Sequence, residues 1–423
     1  MTMPSIPSWL MKVLALLLAT VAFVGTPTLL ATPPAENDTD VAAVLEATGG
    51  FMTGICHPEP EYKTIKNANI GWIRVDIPYP LDENNKQTPS YKAWKREMLA
   101  YRKHGIKVLA VTPYPYKFLE HGLDIRKDED VPKIQWVAKY LMKNLRGIVN
   151  AYQITNEMGV DRFTLPFTMD EAAKFIGVQA EIMSQIKAKD EIIGYNLGGL
   201  GYVQLPPRML QYNKYMDYVG IDIYLGCFET VTKTLDEFIA LLQYTRKITN
   251  KPVLLSEFGY ISYGEPKTPE EKNAILRSYG FKSEEDARKN INKFIKRLPI
   301  KLKEEITENY GKRSAEEKAA LIFDGEYANH IYRELPEDTG LYNYEHTPVG
   351  QAKFYTDVLN RLQDLDYLIG AIIYMWDDSD HCYVCGQADC PVETGWGIVD
   401  GRGRIKPAYK AVKLGFAELK KKK

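Results

Sequence analysis

Residues 149–157 read VNAYQITNE, and residues 251–257 read KPVLLSE. Each is a short apolar run that ends on a glutamate, Glu157 in the first and Glu257 in the second. Apolar runs of this length, set between helical patterns, mark buried parallel strands. An unpaired buried carboxylate costs several kcal/mol. A glutamate placed where a strand leaves its apolar layer is therefore not core filling. In a parallel barrel that position is the mouth, where active sites are built.

Working outward, six further runs carry the same signature: 50–55 GFMTGI, 69–77 NIGWIRVDI, 105–112 GIKVLAVT, 191–197 EIIGYNL, 216–224 MDYVGIDIY and 368–376 LIGAIIYMW. Between the strands lie stretches such as 90–105 SYKAWKREMLAYRKHG and 134–146 IQWVAKYLMKNLR, with apolar residues three and four apart, as helices covering a sheet require. Eight strands with helical crossovers predict an α/β fold of the (β/α)8 TIM-barrel type. A doubly wound sheet would be favoured by a GxGxxG loop after the first strand, and none follows it. Only the interval after strand seven is too long. Residues of about 264–345 are extra and highly charged, and predict a helical insertion of two or three small helices over the mouth, either shaping a binding site or decorating it.

The chain has 423 residues, 45% hydrophobic and 11% aromatic, enough for a large core. Its formal net charge of −1 leaves no basic surplus to displace counterions, so nucleic acid is not an expected partner. Residues 1–35 carry one charge, Lys12, followed by VLALLLATVAFVG and then small residues at Ala31 and Ala35. That pattern predicts an export signal and linker, with residues 36–423 forming a secreted or extracytoplasmic barrel that is not stably inserted in a membrane. An uncleaved anchor would need about 20 apolar residues.

Two carboxyl groups facing each other across a barrel mouth suit retaining glycosidic bond cleavage, one as nucleophile and one as acid and then base. Asn156 beside Glu157 is placed to hold a sugar 2-hydroxyl, which assigns Glu157 as acid/base and Glu257 as nucleophile. Asp222 and Tyr224 share one strand face while Ile221, Ile223 and Leu225 share the other, so the polar face is expected to point into the barrel. Tyr79, Tyr114, Tyr116 and Trp396 fall in candidate mouth loops, where aromatic rings can stack on the flat C–H faces of sugars.

With these residues in place, the chain resembles the clan of retaining (β/α)8-barrel glycosidases that includes cellulases, β-mannanases and β-galactosidases. The resemblance covers the chain after residue 50 apart from the insertion. It implies an Asn-Glu pair ending strand four, here Asn156-Glu157, and a nucleophile ending strand seven, here Glu257. It also implies a supporting arginine on strand two, Arg74, and a tyrosine after strand six that hydrogen-bonds the nucleophile, Tyr224. A tryptophan ending strand eight, Trp376, would floor the sugar site. The sequence departs from many cellulase-like members in carrying Asp222 where they have histidine, and in ending strand three in VTPYPY. The implied partner is a carbohydrate, and no cofactor or metal is implied. Transglycosylation and a non-catalytic carbohydrate-binding barrel stay open as alternatives, and the sugar itself is undetermined.

Five cysteines, Cys56, Cys227, Cys382, Cys385 and Cys390, complete the inventory. In an exported chain a disulfide is expected among the last three, or from one of them to Cys56. A metal reading competes, because the spacing of Cys382 and Cys385 is zinc-like and His57 and His381 adjoin Cys56 and Cys382.

Overall fold

A computed structural model describes residues 38–227, 234–325, 327–335 and 340–422, so the expected export segment lies outside the described residues. Eight strands form one closed parallel barrel in sequence order. They are β1 (Met52–Cys56), β2 (Trp72–Asp76), β3 (Lys107–Val111), β4 (Ala151–Gln153), β5 (Ile192–Leu197), β6 (Tyr218–Ile223), β7 (Val253–Phe258) and β8 (Leu368–Ile373). Every expected run supplies one strand. The fourth is shorter than its apolar pattern, because Thr155 and Glu157 take left-handed φ values of 55° and 40° and carry the chain out of the ladder.

The helices outside the barrel follow from local chemistry. Pro89–Lys103 starts behind Thr88, whose hydroxyl accepts from the Tyr91 N–H, with proline in its first turn. Its buried residues Tyr91, Trp94, Met98 and Tyr101 recur at helical spacing and face the sheet. Helix Met169–Ser184 is closed by a reciprocal capping box of Thr168 and Glu171. Among the described residues, no helix is long and apolar enough to cross a membrane.

The period of two along each strand sets the inward-facing side chains apart from the outward-facing ones, and along the inward-facing rows an apolar floor gives way to a polar upper layer. Met52, Trp72, Leu109, Ala151, Ile192, Tyr218 and Leu254 form the floor together with Val41 and Val44 of helix Asp38–Thr48, which packs under the barrel. Stepping up by two or four residues from that floor gives Arg74, Gln153, Asn196 and Asp222, all buried. Gly220 lies between Tyr218 and Asp222, and a Cβ there would stand 2.6 Å from Ser256 Oγ and 2.9 Å from Asn196 Cβ. Glycine at this point makes room for the polar layer.

Among the described residues, the interval after β7 holds six short helices between Pro269 and Tyr332, where two or three were expected. They bury a core of their own, with Leu276, Phe294, Leu302, Ile306, Ile322 and Ile331. That core is completed by Cys382, Val384, Cys385, Cys390 and Val392 from the loop after β8. The insertion is therefore seated on the β8 loop, at the same end of the barrel as the two glutamates.

Candidate active site

A cavity of about 680 Å³ opens at the C-terminal end of the barrel, and Glu157, Glu257, Arg74, Asn156 and Tyr224 all line it. Glu257, near the end of β7, is 6% exposed and both its oxygens are held. Oε1 forms an ion pair with Arg74 Nη1, and Oε2 accepts the Tyr224 hydroxyl. Arg74 is fixed in turn: its Nε donates to Gln153 Oε1 at 3.0 Å and its Nη2 to Asn156 Oδ1 at 2.6 Å. A guanidinium satisfied on three sides holds the carboxylate in a single orientation.

Glu157 stands in the turn beyond β4. Its left-handed backbone is pinned because its N–H donates to Asn196 Oδ1 at 2.8 Å, while the Thr155 N–H donates to Thr112 Oγ1 at 3.0 Å. Such local strain persists where the surroundings over-determine it. The Asn156 amide donates to Glu157 Oε2 at 3.4 Å and accepts from Asn196 Nδ2 at 2.8 Å through Oδ1. On its other side the side chain rests against Gly198, where a Cβ would come within 2.6 Å of Glu157 Cγ and Oε1.

The two glutamates are electrostatically unlike. Burial, and next the charge of Glu257, push the Glu157 carboxyl up from 4.5 to about 8, against the opposing pull of Arg74 and Arg162. Glu257 carries a guanidinium on Oε1, whereas Glu157 Oε2 accepts from the neutral Asn156 amide. Asp222, fully buried under the pair, is also pushed up, first by burial and then by Glu257 and Glu157. It accepts from Ser256 Oγ at 2.6 Å and from Asn196 Nδ2. Asp222 thereby anchors Asn196, the asparagine that positions Glu157.

The structure moves the expected tryptophan. Trp376 does not line the cavity: it is 1% exposed and its ring meets Tyr409 edge-on at 6.4 Å. The reason is that β8 ends at Ile373, and the Trp376 N–H is drawn to the Cys56 carbonyl at 3.2 Å, which places its ring in the packing behind the strand. Trp396 lines the cavity instead, edge-on to Tyr224 at 5.1 Å and to Tyr374 at 5.8 Å, with its indole N–H on the Val392 carbonyl at 2.7 Å. Of the other expected aromatics, Tyr114 lines the cavity and stacks on Tyr116 at 5.7 Å, whereas Tyr79 stacks on His121 at 3.7 Å away from it.

Gln153, Asn196 and Ser256 were not singled out from sequence. Each is a polar residue in an otherwise apolar strand, and that alternation break was the available signal. Arg162, Tyr383 and Glu393 could not be found that way, because they lie beyond the strand ends, Arg162 on the short helix Asp161–Thr164, Glu393 on the short helix Pro391–Thr394 and Tyr383 in the loop after β8. Burial raises the Glu393 carboxyl to about 7, with Arg162 opposing.

The cysteines also depart from expectation. All five are free, and Cys56 lies beneath Arg74, its Sγ 3.9 Å from Nη1, in a different packing cluster from Cys382, Cys385 and Cys390. His57 lines the cavity and His381 is paired with Asp380, so neither joins the cysteine pair as a ligand set. The group that does converge contains His330, from the insertion, with Cys382, Cys385 and Cys390: it keeps the cysteine pair of the metal reading and replaces the adjoining histidines with one from far away in sequence.

No family model matches the sequence, and no curated protein matches it. Solved structures do match in fold. The GH53 catalytic domain of Ignisphaera aggregans is 16% identical, with 92% of this chain and 99% of that chain covered and a TM-score of 0.52. A GH5_18 enzyme of Bifidobacterium longum subsp. longum is 12% identical over 84% of this chain and 71% of its own, also with a TM-score of 0.52. The β-glucuronidase of Faecalibacterium prausnitzii is 13% identical over 87% of this chain and 49% of its own, with a TM-score of 0.50. The chain carries the (β/α)8-barrel fold found in these glycoside hydrolases.

Proposed function

We propose that the protein is a retaining β-glycoside hydrolase acting on oligo- or polysaccharides, with Glu257 as nucleophile and Glu157 as acid/base. The observation that carries this reading is the contrast between the two carboxyls. Glu257 is held on both oxygens by Arg74 and Tyr224, which aims it at one point in the cavity. Glu157 keeps its proton in the neutral range, as a general acid must.

In the first step Glu257 attacks the anomeric carbon while Glu157 gives its proton to the departing glycosidic oxygen. A glycosyl ester forms and the aglycone leaves as an alcohol. The charge of Glu257 is consumed in the ester, which removes the larger of the two charges that hold the proton on Glu157. Glu157, now a carboxylate, takes a proton from water, and the hydroxide so formed displaces Glu257. Net retention follows from two inversions. Trp396, Tyr224 and Tyr374 offer apolar ring surface beside the reacting point. The export reading of residues 1–35 belongs to the same proposal and expects the secreted protein to begin after Ala31 or Ala35.

The test is a hydrolysis screen on aryl β-glycosides and β-linked polysaccharides, with the anomer of the first-formed product read by NMR. Retained configuration supports the assignment. An inverted product would remove Glu257 from the nucleophile role.

A further inference from the structure

We infer that His330, Cys382, Cys385 and Cys390 form a structural zinc site that ties the insertion after β7 to the loop after β8. The Nδ1 of His330 and the three Sγ atoms all lie within 4.8 Å of one another, and all four residues are buried. The His330 Nδ1 stands 3.4 Å from Cys382 Sγ and 3.6 Å from Cys390 Sγ. A zinc ion with Zn–S of about 2.3 Å and Zn–N of about 2.05 Å in tetrahedral geometry requires N···S edges of about 3.6 Å. The observed edges therefore match a set of ligands around one small cation.

The backbone agrees. Cys382 and Cys385 form a turn in which the Cys385 N–H donates to Cys382 Sγ at 3.4 Å. Gly386 follows at φ +75°, a conformation that favours glycine, and its N–H closes on the Cys382 carbonyl at 2.7 Å. The Cys382 N–H is held by the Gln387 carbonyl at 2.9 Å. This turn brings two sulphurs together, with the Cys385 N–H aimed at the Cys382 sulphur. Cys390 arrives five residues later, and His330 comes from helix Ala328–Tyr332 of the insertion.

Two simpler readings account for less. Buried cysteines often act as small hydrophobes, but that role gives an imidazole nitrogen no reason to face two of them. A disulfide would use two sulphurs and leave the third with the histidine. Three thiolates and one imidazole suit zinc, the soft-ligand tetrahedral ion, and leave no open position for substrate, so the role is structural. Binding releases the three thiol protons to solvent. The Arg333–Asp389 ion pair at 2.9 Å spans the same junction. His330 also lines the catalytic cavity together with Asn329, Tyr383 and Glu393, so the ion would fix one wall of the pocket.

The zinc assignment stands apart from the sugar chemistry, and its test does not use activity. The full chain, purified without chelator, should contain one zinc per chain by inductively coupled plasma mass spectrometry. Cys385→Ser and His330→Ala should each lower zinc affinity by at least the roughly 10–100-fold that loss of a mere outer-shell partner costs, while Cys227→Ser retains the metal. Should a variant fail to fold, the unaltered protein still decides. Exchange into cobalt should give the ligand-field spectrum of a tetrahedral thiolate complex, and chelation should lower Tm. Absence of zinc, another element in its place, or an intact mass showing a disulfide among the three cysteines would each overturn the assignment.

Discussion

The raised carboxyl of Glu157 has a thermodynamic consequence that can be measured without substrate. The folded protein keeps this proton until about pH 8, whereas the unfolded chain releases it near 4.5. Between those values the native state binds more protons, so this residue's contribution to stability falls as pH rises through that window. Below the window Glu157 is neutral in both states and has no such cost. Above it, burying the charge beside Glu257 destabilises the fold by the full shift, on the order of 5 kcal/mol at about 1.4 kcal/mol per unit. Glu157→Gln has the same shape and no charge, so it should be more stable than the parent above the window and equal to it below. A domain of this size unfolds with an entropy of about 0.8 kcal/mol/K, which makes the gain about 6 °C in Tm. Thermal melts of both proteins on either side of the window are the assay. A difference in Tm that stays constant with pH would refute the argument, because it would show that the substitution acts through packing rather than ionisation. The same protonation should set the alkaline limb of kcat/KM near pH 8.

Other outcomes follow from individual contacts. Glu257→Ala should lower hydrolysis by roughly 10⁴–10⁶-fold, the scale seen on removing a nucleophile, and azide should restore slow turnover with an inverted product; activity near that of the parent would exclude the assignment. Tyr224→Phe deletes the hydroxyl on Glu257 Oε2. A hydrogen bond to a charged group contributes about 1.5–3 kcal/mol, so kcat/KM should fall by roughly 10–150-fold, and an unchanged value would mean that the contact does not orient the nucleophile. Gly198→Ala places a methyl group 2.6 Å from Glu157 Oε1, forcing the carboxyl aside. Substrates with poor leaving groups should suffer at least tenfold more than dinitrophenyl glycosides, which need no protonation; equal losses would argue against acid catalysis by Glu157.

The sequence by itself determined the barrel, because strand periodicity is local. Eight apolar runs separated by helical spacing leave few ways to bury both faces, and each run became a strand. It also determined which residues meet at the mouth when they belong to strands or the positions just after them: Arg74, Asn156, Glu157, Tyr224 and Glu257 are brought together by the closure of the sheet. Past the strand ends that logic fails, since a loop residue's direction depends on contacts far away in sequence. Trp376 left the cavity for this reason, its backbone taken by the Cys56 carbonyl, while Trp396 lines the cavity as its place in a mouth loop led one to expect, its indole held by the Val392 carbonyl. The same holds for the cysteines. Spacing showed the pair Cys382 and Cys385, but their imidazole partner is His330, 52 residues before Cys382, on a helix whose position is set by a second hydrophobic core. Only the packed insertion decides that contact, because no local pattern records which side chain will arrive across an interface between two cores.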